Sequence, residues 1–210
     1  PVLAALGIPL AFRLAGSADR RLLLAIAMAG LGLTLLLALL AAAGGWTGII
    51  VWSGPLRLTA ALTPIAGAMA MLVPVIALPI LAYAPFHEDE IGLGRLVAIL
   101  LLFVAGMELL LIADDLLTLL IGWELVGVCS YLLIAHEWRH ADNAASGLYA
   151  FLMTRFGDLG LFAAPMAAYA ATGSFSYDSL SDVSGPLAFV VAFGLLLSAV
   201  LAYAFGTIAP

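Results

Sequence analysis

Apolar residues in this chain come in long runs instead of at alternating or helical intervals. The runs cover roughly 1–12, 22–43, 60–84, 96–113, 116–135, 144–172 and 187–206. Between them lie six polar breaks, at 13–21, 44–59, 85–95, 114–115, 136–143 and 173–185. A run of about 20 apolar residues matches the hydrocarbon thickness of a bilayer. With no water there to hydrogen-bond the backbone, a helix is the structure such a run can adopt. The pattern predicts an all-α fold, a polytopic transmembrane helical bundle of about seven spans. The break at Asp114 and Asp115 leaves room only for a tight turn, so the fourth and fifth spans are expected to be antiparallel neighbours. The first run is already apolar at Pro1, with no basic stretch ahead of it as a cleavable signal would have. It reads as an incomplete span of a longer chain.

Composition points the same way. Apolar residues make up 65% of the chain and charged residues 10%, and the mean hydropathy is +1.21. A soluble domain carries about a quarter charged residues, so lipid must be the solvent for most of this surface. The net charge of −6 and the absence of lysine argue against a nucleic-acid partner. A single cysteine, Cys129, excludes a disulfide framework and is read as inert packing.

Arginine sets the expected orientation. Arg13, Arg20, Arg21, Arg95 and Arg139 fall in or beside the odd-numbered breaks, and only Arg57 in an even-numbered one. The positive-inside rule then places the odd-numbered loops in the cytoplasm and the N-terminus outside. Trp46, Trp52 and Trp138 sit at span ends as an interfacial belt does, whereas Trp123 does not. Pro64, Pro74 and Pro79 in the third run and Pro165 in the sixth are expected to kink their helices; the alternative is an unwound, hydrated segment.

Ionisable residues inside spans carry the functional signal. Glu124 lies in the fifth run, and Arg155 and Asp158 in the sixth. Each mid-bilayer charge costs ~2.5–3.5 kcal/mol on insertion scales, so such groups persist when they are paired, wet or at work. Arg155 and Asp158, three apart, share a helix face and can pair locally. Glu124 has no basic residue within a turn on its own helix. It must be protonated, line a polar cavity, or meet Arg155 across the helix interface. Burial and a nearby cation act oppositely on a carboxyl's proton affinity, which is what a proton relay needs. Glu108, within two turns of its span end, is expected to snorkel to the interface.

Residues 111–134, Leu-Ile-Ala-Asp-Asp-Leu-Leu-Thr-Leu-Leu-Ile-Gly-Trp-Glu-Leu-Val-Gly-Val-Cys-Ser-Tyr-Leu-Leu-Ile, resemble subunit L (chain 5) of NADH:quinone oxidoreductase, respiratory complex I. So do Thr154-Arg-Phe-Gly-Asp158 and, upstream, Leu56-Arg57 and Gly94-Arg95. The resemblance spans about 56–201. It implies 1–55 as N-terminal spans and 56–210 as the start of an antiporter-like, proton-translocating membrane domain. It further implies an enzyme-complex subunit without a flavin, iron–sulfur or nicotinamide site, so that no cofactor and no metal is expected. Partners would be the lipid bilayer and other membrane subunits, in a bacterial-type cytoplasmic or other energy-coupling membrane. By the same resemblance Glu124 is the key glutamate, Asp158 its acidic partner and Arg155 the adjoining arginine. Two features depart. Family resemblance holds through 195–202, but Tyr203 stands where the family has a lysine, and the many further spans of the family do not follow. A truncated or frame-shifted piece is the expectation, with lysine near 203 in an intact gene.

Three rival readings remain. A Mrp-type multisubunit Na⁺/H⁺ antiporter shares the same motifs. An inert remnant packed on a partner would explain the missing lysine. His136-Glu-Trp-Arg-His140 spells H-E-x-x-H, the pattern of a zinc protease, with Asp142, Asp158, Asp178 or Asp182 as the third ligand such a site needs. The motif runs into a polar break, where a solvated loop is the plainer reading. His87, beside Glu88, Asp89 and Glu90, is likewise read as a solvated cytoplasmic loop, and 173–185, with Tyr177, as an outside loop.

Overall fold

Among the described residues, the lipid-compatible runs become helices where the sequence predicts them. The computed structural model describes residues 20–44, 47–53, 56–88, 90–137 and 139–208. Six helices follow in order: α1 (Arg20–Gly44), α2 (Pro64–Tyr83), α3 (Glu90–Leu111), α4 (Leu116–Ile134), α5 (Ala141–Thr172) and α6 (Gly185–Ile208). They coincide with the second to seventh expected spans. The expected first span, with Arg13, lies outside the described residues, as do Trp46, Asp89 and Trp138. Among the described residues, α1 to α4 are each long and apolar enough to cross a bilayer. Helix α5 is longer, at 32 residues, and holds Asp142, Arg155 and Asp158.

Two local features differ from expectation. The second break is a β-hairpin, β1 (Thr47–Ser53) against β2 (Leu56–Ala61), antiparallel with Ile49 opposite Thr59 and Val51 opposite Arg57. Ile49, Ile50 and Val51 are β-branched and suit a pleated strand, a signal hidden by reading the segment only as a gap between spans. Helix α3 also starts earlier than expected, at Glu90, so Arg95 lies inside the helix.

Helix α2 begins with Thr63 as its cap, whose side chain accepts from the Ala66 N–H at 3.2 Å, and with Pro64 in the first turn, where no donor is lost. Pro74 and Pro79 in α2, and Pro165 in α5, lie within uninterrupted helices; no segment unwinds around them. The core has two centres. Leu31 of α1, Leu81 of α2 and Leu93, Val97, Leu101 and Val104 of α3 form one; Leu116, Ala164, Ala168 and Val191 form the other, among α4, α5 and α6. Helices α5 and α6 touch backbone to backbone, since a Cβ on Gly194 would lie 2.6 Å from the Gly160 carbonyl oxygen. Helices α3 and α4 are antiparallel neighbours, as expected. Gly106 faces Leu125 and Val126, and Gly122 faces Leu110, so residues whose numbers rise on one helix meet falling numbers on the other.

One carboxylate ties the even-numbered breaks together. Asp115 is 2% exposed and caps α4, accepting from the Thr118 N–H at 2.7 Å through Oδ1. Its Oδ2 accepts from the Thr118 hydroxyl at 2.7 Å, the Thr59 hydroxyl at 2.6 Å and the Thr59 N–H at 2.5 Å. Around it Ala61 N–H donates to the Ile112 carbonyl, Asp114 N–H to that of Thr59, and Leu116 N–H to that of Phe175. The hairpin, the α3–α4 turn and the α5–α6 loop are thus stitched at one end of the bundle. Burial pushes the nearby Tyr177 phenol up to about 12, with Asp115 and Asp114 adding to the shift. At the other end, His136 Nε2 meets Glu88 Oε2 at 3.2 Å, joining the third and fifth breaks. The grouping of odd with odd and even with even is what alternate crossings require.

Asp115→Ala removes a helix cap and strands the donors of Thr59 and Thr118. Together these losses amount to about 2–4 kcal/mol. Asp115→Asn, which keeps an acceptor oxygen, is expected to lose less. Denaturant unfolding in detergent micelles measures both; an Asp115→Ala protein as stable as the parent contradicts the role of this knot.

Candidate functional site

Near the middle of α4 and α5 the spans carry their charges face to face. Glu124 sits halfway along α4, and Arg155 and Asp158 midway along α5. The structure brings all three together. The Arg155 guanidinium is ion-paired with Glu124 through Nη1, and its Nη2 lies 2.9 Å from Asp158 Oδ2. The Asp158 side chain is 2% exposed, that of Arg155 20% and that of Glu124 27%. Of the alternatives open to Glu124, the meeting with Arg155 across the helix interface is the one realised.

Three neighbours shape this cluster. Trp123 Nε1 donates to Asp158 Oδ1 at 2.7 Å, so consecutive residues of α4 hold the two ends of the Arg155–Asp158 pair. Gly127, one turn beyond Glu124, leaves room for the guanidinium: a Cβ there would lie 2.5 Å from Nη2. Phe151, one turn before Arg155, places its ring centroid 5.0 Å from the guanidinium carbon, within reach of a cation–π attraction. The sequence pattern pointed to none of these three roles. For Trp123 a signal existed, because a tryptophan away from the span ends needs a partner for its N–H.

The cluster is close-packed yet incompletely hydrogen-bonded. Glu124 Oε1, Arg155 Nε and Nη2, and Asp158 Oδ2 are buried without an aligned hydrogen bond. Nη2 and Oδ2 are therefore near in charge but misdirected in geometry. One cation faces two acids, so full ionisation leaves an excess negative charge at mid-depth. Binding one proton removes it. The chemistry available to such a group is proton uptake and release governed by where a single guanidinium sits.

Other expected positions resolve differently. Glu108 does not snorkel: it is 3% exposed, because tertiary packing buries its face of α3. His136 and His140 do not share a helix. Helix α4 ends at Ile134 and α5 begins at Ala141, so the helical face on which H-E-x-x-H places two imidazoles does not exist. His136 engages Glu88, while His140 Nε2 lies 3.9 Å from Glu137 Oε2, and Asp158 belongs to the Arg155 cluster. His87 stacks on Tyr83, with ring centroids 4.2 Å apart, and meets its hydroxyl at 2.8 Å. Cys129 is fully buried. Position 203 lies on the α6 backbone, and its side chain falls outside the described residues.

Apolar helices with paired charges midway along them define a polytopic integral membrane protein. Residues 113–207 match the family described as NADH:quinone oxidoreductase/Mrp antiporter, transmembrane. The NADH-quinone oxidoreductase subunit L of Escherichia coli (strain K12) is 32% identical over 140 residues, covering 66% of this chain and 23% of the relative. Its counterpart in Buchnera aphidicola subsp. Schizaphis graminum is 35% identical over 99 residues, 47% of this chain and 16% of the relative. The chloroplastic NAD(P)H-quinone oxidoreductase subunit 5 of Chlorokybus atmophyticus is 35% identical over 120 residues, 57% and 18% respectively. The chain thus spans about a fifth of the length of these relatives. Among solved structures, the Mrp complex of Dietzia sp. DQ12-45-1b superposes with a TM-score of 0.71 at 23% identity, over 94% of this chain and 23% of that one. Respiratory complex I of Thermus thermophilus gives 0.73 at 20%, over 94% and 42%. These likenesses establish the fold, and the resemblance to subunit L read across about 56–201 in the sequence is borne out as to family.

Replacing Arg155 by Met leaves two acids without their cation. A buried pair broken on one side loses about 3–5 kcal/mol. The triple change Arg155→Met, Glu124→Gln, Asp158→Asn is expected to recover most of that loss. Thermal unfolding in detergent reports it; equal stability of single and triple variants would show that the charges do not couple.

Proposed function

We propose that this chain is a proton-translocating membrane subunit of a NADH:quinone oxidoreductase-type complex, working beside other membrane subunits and carrying no redox site of its own. The observation that carries the reading is the Arg155 guanidinium shared between Glu124 and Asp158 at mid-depth, inside the family-matched segment. Redox-driven charge changes elsewhere in the complex would bias the guanidinium between the acids. When it moves toward Asp158, Glu124 gains proton affinity; when it returns, Glu124 loses it. Trp123 fixes Asp158 so that the movement changes one distance at a time. Residues 56–210 form the antiporter-like unit in this reading, and 1–55 precede it as N-terminal spans. The Mrp-type antiporter is the second reading. It is supported by fold, whereas the relatives at 32–35% identity named above are oxidoreductase subunits.

In the complete complex, Glu124→Gln is expected to abolish most proton pumping while assembly and electron transfer persist, because the two side chains are nearly isosteric. Inverted vesicles with a pH-sensitive dye test this. Pumping at the parental rate in a normally assembled complex removes Glu124 from the mechanism.

Orientation is part of the same proposal: the odd-numbered breaks face the cytoplasm of a bacterial-type membrane and the N-terminus faces outside. Cys129 is the sole cysteine and buried, so introduced cysteines can serve as reporters. Glu137→Cys is expected to react with an impermeant maleimide only in inverted vesicles, and Ser181→Cys only in right-side-out cells. The reverse pattern inverts the topology.

A further inference from the structure

Glu108 is the buried ionisable group that the Glu124 site does not use. Its residue is 3% exposed, and its Oε1 is buried with no hydrogen-bond partner. It continues the stripe Leu93, Val97, Leu101 and Val104 along α3, at intervals of three and four residues, and those four belong to the core shared with α1 and α2. Gly106 and Leu110, two residues to either side, face α4 instead. At 100° per residue, steps of two project to the opposite side of a helix. Glu108 therefore lies about level with Glu124, since Leu125 and Val126 adjoin Gly106 and Gly122 adjoins Leu110, yet it points the other way, into the α1–α2–α3 core.

We propose that Glu108 is a second proton-binding site of this chain, held as the neutral acid in the resting fold and separate from the Arg155 cluster. An ionised carboxylate in a leucine and valine stripe, with no cation among the described residues to pair it, loses hydration that none of those residues replaces. Protonation removes the charge. A metal cation is a poor alternative ligand, since hard cations gather several oxygens and no group of three acidic, histidine or cysteine side chains assembles among the described residues. The site lies ahead of the family-matched segment, at 113–207, and does not rest on the proposed role of Glu124. Its ligand is the proton alone. Any proton leaving it would have to pass toward α1 and α2, not across to α4.

Dicyclohexylcarbodiimide, an apolar reagent that adds to protonated carboxyls, tests this on the assembled complex in native membranes. At about pH 6, well above the ordinary glutamate value of ~4.3, Glu108 is expected to carry the adduct in peptide mass spectra. Glu124, held against Arg155, is expected to remain unlabelled, and a membrane-impermeant carbodiimide to leave Glu108 untouched. Glu108 labelled only near pH 4, or at neither pH, overturns the proposal. The infrared difference between the parent and Glu108→Gln should contain one protonated-carboxyl carbonyl band, and its absence overturns it as well. Should the variant fail to fold, the labelling of the unmutated protein decides alone.

Discussion

In a solvent that cannot hydrate ions, a charged side chain is tolerable only beside its opposite, and this bundle is arranged around one such meeting. Arg155 is the only basic residue midway along a helix of the described bundle, and two acids converge on it. Almost every local choice nearby follows from accommodating that guanidinium. Gly127 clears its path to α4, Phe151 lies against it, and Trp123 occupies the Asp158 oxygen that it does not reach. Each of these would be unremarkable on a lipid-facing helix. Together they fix one cation between two helices while leaving several of its hydrogen-bonding directions unused.

Depth has to be set as carefully as contact, because a helix sliding by one turn moves its charges 5.4 Å along the bilayer normal. The Asp115 knot performs that task from the end of α4. Asp115 binds the helix start, the hairpin and, through the adjoining backbone, the α5–α6 loop. Glu124 then sits about 13 Å further along, nine residues at 1.5 Å each. The Gly160–Gly194 contact of α5 with α6 supplies a rigid back wall for the helix carrying Arg155 and Asp158. A polar anchor at the rim and a close backbone contact in the core thus hold the two acids and the cation at a common level.

The legibility of these features in sequence follows from what each depends on. Spans were legible because lipid imposes one rule on every residue of a run. The Glu124–Arg155 meeting was legible for the same reason: a lone carboxylate on α4 and a cation on the adjacent span leave few other solutions. The hairpin was not, since Ile49, Ile50 and Val51 satisfy both an apolar-run reading and a strand reading, and pairing with 56–61 decides between them. Gly127 and Trp123 gained their roles only from the rotation of α4 against α5, which no count along the chain supplies. Glu108 went astray because distance from a helix end predicts exposure only for a helix without neighbours, and α3 is packed on both sides.

The choice of arginine over lysine at position 155 bears on what the cluster can transmit. Guanidinium keeps its charge at any pH a membrane meets, whereas a desolvated lysine can lose its proton. Arg155 therefore cannot serve as a proton carrier itself. Under the proposed function it acts as a countercharge, and protons in the cluster reside on Glu124 or Asp158. Asp158 accepts from Trp123 through one oxygen and is nearly sealed from its surroundings, while Glu124 keeps an unpartnered oxygen and a partly exposed side chain. Under the proposed function, that asymmetry suits Glu124 to exchanging the proton and Asp158 to staying in place.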